Sequence, residues 1–143
     1  MNTPKAWFLS GLVLMGLFAT GHLAGCLQAM RAARHDPRLA DLTRAMRAHK
    51  SPLLGFEPSI LDFREYFSLS FSILLALSAS LGLAAWRTST DPEATMRALS
   101  AVYACAMLAL LGVSLLFSIV QGVISCAAIA AVFAITWWRT GVV

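Results

Sequence analysis

Of 143 residues, 59% are hydrophobic and only 13% charged, with a mean hydropathy of +0.74. A water-soluble domain carries about 25% charged residues, so this composition excludes one. The net charge of +4 comes from 11 basic and 7 acidic residues, and none of either kind occurs in residues 6–30, 66–86 or 98–138.

A helix rising 1.5 Å per residue needs about 20 mostly apolar residues to cross a hydrocarbon core about 30 Å thick. The third charge-free stretch, residues 98–138, is long enough for two crossings. The expected fold is therefore all-α: an integral membrane four-helix bundle with one amphipathic interfacial helix. It is read as a single transmembrane domain over residues 1–143, with spans at about 6–30, 65–86, 95–118 and 122–138.

The first span follows Lys5, as a signal peptide would, but its uncharged run exceeds the 7–15 residues of such a segment. A helix retained in the mature protein is expected, closed by Arg31 and Arg34 at the headgroups. His22 lies inside it, about 12 Å from the Met30 end, and is flanked by Gly21 and Gly25 at the spacing that lets a second helix approach closely.

The connection 31–64 has structure of its own. Asp36-Pro37 is an N-cap and first-turn pair. After it, Leu39, Leu42 and Met46 share one helical face while Arg38, Asp41, Arg44 and Arg47 fall elsewhere. A surface helix over residues 38–48 follows, resting on headgroups or docking a partner. Leu53, Leu54, Phe56, Ile60, Leu61 and Phe63 are too many large apolar side chains for a solvated loop, so residues 52–63 are expected to fold back as a cap on the bundle mouth. Arg31, Arg34, Arg38, Arg44, Arg47, Lys50 and Arg64 outnumber Lys5, Arg87, Arg97 and Arg139. The positive-inside rule then puts this connection in the cytoplasm and both termini outside. The same arginines would also serve anionic headgroups, at about 1 kcal/mol each.

The second span is expected from about Glu65 to the aromatic-basic boundary Trp86-Arg87. Along it Glu65, Ser68, Ser72, Ala76 and Ala79 form one stripe, acidic and hydroxylic at one end and small further in. Thr90 and Glu93 have capping-box spacing for the third span, with Pro92 in its first turn. That helix should end near Ser118, with Ser114, Ser118 and Gln121 spaced as a second polar stripe. Gln121-Gly122 marks the hairpin, and the fourth span ends on Trp137, Trp138 and Arg139.

Counting rise puts His22, Ser72 and Ser114 at a similar depth, so His22, Glu65, Ser68, Ser72, Ser114, Ser118 and Gln121 form the candidate ligand-binding set. Asp62, Arg64 and Tyr66 would stand at its mouth. The set is either a polar pocket or the hydroxyl-rich glue of packed membrane helices. His22 itself could hold helices in register, contact a ligand or ligate a metal. The three cysteines, Cys26, Cys105 and Cys126, read as buried apolar thiols. One intramembrane His without partners is a poor metal site, so no metal or cofactor is expected.

The Trp7 to Gly11 opening, Gly21-His22 late in the first span and the Tyr66 to Ser72 run resemble a family of small four-span bacterial membrane proteins of unknown function. That resemblance implies the four-span topology and a second histidine within the run; Phe71 stands at that place here, and Ser68 at an asparagine of the pattern. It also implies a multi-pass protein of the bacterial inner membrane. The leading expectation is a non-enzymatic protein, either an accessory subunit of a membrane complex or a lipid or small-ligand binder. A membrane enzyme with His22 as acid or base, assisted by Glu65 or Ser72, is the alternative. The expected partners are the lipid bilayer and other membrane subunits or further copies of the chain, not nucleic acid.

Overall fold

The computed structural model describes residues 3–52, the side chain of Arg34 aside, and 56–141. Among them are five helices and no extended strand: α1 (Pro4–His35), α2 (Pro37–Ala48), α3 (Ile60–Thr88), α4 (Pro92–Leu116) and α5 (Val120–Arg139). All but α2 are long and apolar enough to cross a membrane. The chain is an all-α, multi-pass membrane protein.

Helix boundaries follow local chemistry. Asp36 caps α2 by accepting a 2.9 Å bond from the Arg38 N–H, and Pro37 fills the first turn. For α4 the cap is Asp91, whose carboxylate accepts from the Ala94 N–H at 3.0 Å, and not Thr90 of the expected capping box. Asp91 directly precedes Pro92, the residue whose missing N–H suits the first helical position. A capping box does occur at α3: the Ser59 N–H and hydroxyl donate to the Asp62 carboxylate at 2.9 and 2.7 Å, and the Asp62 N–H returns a bond to the Ser59 hydroxyl at 3.2 Å. This starts α3 at Ile60, five residues before the expected Glu65.

The α4–α5 turn also differs from expectation. It falls at residues 117–119, and Gln121 and Gly122 lie inside α5. Ser118 takes a left-handed φ of 55°. The Ile119 N–H bonds to the Ser114 carbonyl at 2.8 Å and the Ser118 N–H to the Leu115 carbonyl at 3.2 Å, the two bonds of a Schellman stop. Gly122 is kept for packing: a Cβ there would lie 2.5 Å from the Ser114 hydroxyl oxygen.

The chain divides into two compact units, Met1–Phe18 with Leu77–Val143, and Ala19–Ala76. In the first, segments of all four long helices meet around Phe8 and Phe133, whose rings are 6.1 Å apart at 66°. Tyr103 packs on Phe133 at 5.0 Å and Trp86 on Phe8 at 6.2 Å. Leu12, Met15, Met107 and Ile129 fill the remaining core. The Tyr103 hydroxyl donates to the Ser78 carbonyl at 2.6 Å, tying α4 to α3.

At one end of this unit three basic groups lie over indole rings: Lys5 over Trp86 at 5.1 Å, Arg97 over Trp137 at 5.9 Å and Arg139 over Trp7 at 5.9 Å. Each pair joins two helices, the amphipathic ring and cation that suit a membrane–water boundary.

The second unit holds the rest of α1, α2 and the start of α3. Its connection closes on itself through an antiparallel bridge between Lys50 and Ser59, with the Ser51 N–H on the Pro58 carbonyl and the Ile60 N–H on the His49 carbonyl. Ile60, Leu61 and Phe63 belong to α3, and Phe56 is 76% exposed, so these four residues do not form the expected fold-back cap. Leu53 and Leu54 lie outside the described residues.

Candidate functional site

The expected polar set falls into both units. His22, Glu65, Ser68 and Ser72 belong to one, and Ser114, Ser118 and Gln121 to the other. His22, half-buried, meets the Phe71 ring edge-to-face at 5.1 Å and 74°. Ser72 is buried, and its hydroxyl donates to the Ser68 carbonyl one turn earlier at 3.1 Å. That bond satisfies the hydroxyl within its own helix, the ordinary fate of a membrane serine.

The second stripe does not exist as a stripe. Ser114 is buried on α4, Ser118 is in the turn and Gln121 is exposed on the first turn of α5. An i, i+4, i+7 argument holds only while one helix continues, and the Schellman stop ends α4 first. The α3 stripe needs one change: Ala76 is exposed, and the inward line runs through Leu61, Glu65, Ser68, Ser72, Leu75 and Ala79. Alternating steps of three and four keep a helix turned to its neighbours, as in knobs-into-holes packing.

Two other expectations are corrected. A methyl group at Gly21 or Gly25 would meet nothing within 4 Å, so the G-x-x-x-G pair does not mark a close helix approach among the described residues. Close approaches occur instead at Gly11, against the Phe133 ring, and Gly82, against Tyr103, as well as at Gly122. Cys26, Cys105 and Cys126 are free thiols, but Cys105 is exposed on its span and only Cys126 is buried.

The polar surface of the second unit converges elsewhere. The end of α1 (Met30, Ala33), one face of α2 (Ala40, Thr43, Arg44, Arg47) and the first turns of α3 (Arg64, Glu65) line a cavity of about 550 Å³. Geometry explains the meeting. At 1.5 Å per residue α1 is about 48 Å long and α3 about 43 Å, well beyond the hydrocarbon thickness, so their ends carry charge without entering lipid.

Of the arginines, Arg44 pairs with Asp41 at 3.2 Å, both side chains largely exposed, a contact worth little in itself. Arg47 and Arg64 form no ion pair within 4.0 Å among the described residues, although Arg47 and Lys50 attract the Asp62 carboxylate at longer range. Asp62, expected beside Arg64 at the mouth, is held instead by Ser59 in the α3 cap. Tyr66 is 66% exposed and stacks edge-on with Phe67, so it lies on the outer face of α3.

The cavity was partly legible in the sequence. Arg64 and Glu65 stand among the expected residues, while Thr43, Arg44 and Arg47 do not. Their signal was the spacing Ala40, Thr43, Arg44, Arg47, a small-and-basic stripe about 115° from the apolar one on the same helix. No three His, Cys, Asp or Glu side chains among the described residues gather as a metal site.

Guanidinium groups present planar, forked donors that match phosphate and carboxylate oxygens two at a time. Three of them around one opening, with apolar Met30, Ala33 and Ala40 beside them, can hold an anionic group and the start of an alkyl chain. No family model, curated protein or solved structure matches the chain.

Proposed function

We propose that this small membrane protein binds an anionic amphiphile, a lipid or lipid-like molecule, through the arginine-lined cavity where α1, α2 and α3 meet. The observation that carries this reading is the supply of three guanidiniums by two elements around one opening, two of them without an ion-pair partner among the described residues. A guanidinium without a close carboxylate gains more from a ligand oxygen than one already in an ion pair, and Arg47 has only the longer-range attraction of Asp62. The cavity favours binding over lipid chemistry with His22 as acid or base, because His22 is not one of its lining residues. By the positive-inside reading the cavity opens on the cytoplasmic leaflet.

The test is native mass spectrometry of the full chain in detergent with dioctanoyl phosphatidylglycerol added. Charged hydrogen bonds contribute about 1.5–3 kcal/mol each, so Arg47→Gln with Arg64→Gln should weaken binding by at least about tenfold while helicity by circular dichroism is unchanged. Equal binding by the folded double variant would reject the reading.

A further inference from the structure

Resting on that reading, we infer that the group bound in the cavity is a phosphoethanolamine, a phosphate ester carrying a primary ammonium. The cavity is not simply basic. Glu65 lines it together with Arg44, Arg47 and Arg64, and its carboxylate makes no ion pair within 4.0 Å among the described side chains.

The reason Glu65 and its neighbour Arg64 stay apart is helical: consecutive residues point about 100° apart and do not face each other. Arg47 comes from α2, and Arg44 is already engaged with Asp41. An acceptor and two donor forks, neither of them in an ion pair within 4.0 Å among the described residues, are thus held around the same opening, with Arg47 also attracted by the more distant Asp62 carboxylate.

Oppositely charged groups kept apart in one cavity complement a ligand whose own charges are kept apart. A phosphate would take the Arg47 and Arg64 forks, with the Thr43 hydroxyl as a further donor. A primary ammonium has three N–H donors, the number and charge a lone carboxylate can use. A phosphoglycerol group leaves Glu65 repelling a like charge or stranded, and a trimethylammonium has no N–H to give it.

The experiment compares dioctanoyl phosphatidylethanolamine, phosphatidylglycerol and phosphatidylcholine on the full chain by native mass spectrometry, reading ratios within each variant. Such ratios are insensitive to a misfolded fraction. The wild type should prefer the ethanolamine lipid at least about fivefold, and Glu65→Gln should abolish or reverse that preference. Free phosphoethanolamine is then added as competitor. Displacement at equal concentration identifies a soluble ester as the ligand, and failure to displace identifies the lipid; either result keeps the headgroup chemistry.

A wild type without ethanolamine preference, or a Glu65→Gln variant that retains it, overturns this inference. If Arg47→Gln with Arg64→Gln still loses phosphatidylglycerol in that case, the anionic cavity survives. If that double variant binds every lipid as the wild type does, the cavity reading falls as well.

Discussion

One added methyl group separates two kinds of glycine in this chain. At Gly82 a Cβ would lie 2.5 Å from the Tyr103 hydroxyl oxygen and 3.2 Å from Leu12, and Tyr103 is held there by its bond to the Ser78 carbonyl. At Gly21 and Gly25 the same methyl enters open space. Gly82→Ala should therefore destabilise the protein by about 1–3 kcal/mol, the usual cost of overpacking. Gly21→Ala and Gly25→Ala should be neutral or slightly stabilising, since alanine is the better helix former. Thermal unfolding in detergent, followed by loss of the monodisperse peak, measures all three. A Gly82→Ala midpoint equal to wild type would show that Tyr103 is not fixed by its bond.

At the scale of the element, α2 carries two stripes with different work. Ala40, Thr43, Arg44 and Arg47 line the cavity, while Leu39 and Leu42 are 39% and 56% exposed. An apolar face that its own unit does not cover belongs, on an interfacial helix, in the headgroup–acyl boundary. Immersing Leu39, Leu42 and Met46 is worth up to about 1.5–3 kcal/mol each, enough to hold the helix against the membrane. Spin labels at positions 39 and 42 of the reconstituted protein should be more accessible to oxygen and less to a nickel reagent than a label at Asp41, whose side chain is 73% exposed. Equal accessibilities at the three sites would place α2 in water and remove the lipid-facing role.

At the scale of the whole molecule, the number of helices able to span, four among the described residues, predicts the topology. An even number of crossings returns a chain to the side on which it began, so the four helices among the described residues that are long enough to cross predict both ends on one face. The tryptophans and cations at the start of α1 and the ends of α3 and α5 agree with this, since their cross-helix pairs require one shared boundary. Protease-sensitive tags fused before residue 1 and after residue 143 should be cleaved from the same face of sealed vesicles. Cleavage from opposite faces would mean that one of the four does not cross.

What the residues determined by themselves is what depends on near neighbours and on solvent. Three charge-free stretches, one of double length, specify four apolar helices because no other element buries its own backbone polar groups in lipid. Asp36-Pro37 and the Trp-basic boundaries were legible for the same local reason. The charged residues beyond Pro52 are legible only in part: Arg64 and Glu65 are plain, but the Ser59–Asp62 capping box that places them on a helix carries Asp where the usual pattern has Glu or Gln. What the tertiary structure decided is which of several equivalent stripes meet. Spacing alone made Gly21-Gly25 as good a contact as Gly11 or Gly82, and made Ser114, Ser118 and Gln121 one line. It could not show that a left-handed Ser118 ends α4, or that the small-and-basic face of α2 would close against the ends of α1 and α3. Stripe chemistry is written in one helix at a time, whereas a cavity is a property of how several helix ends are held together.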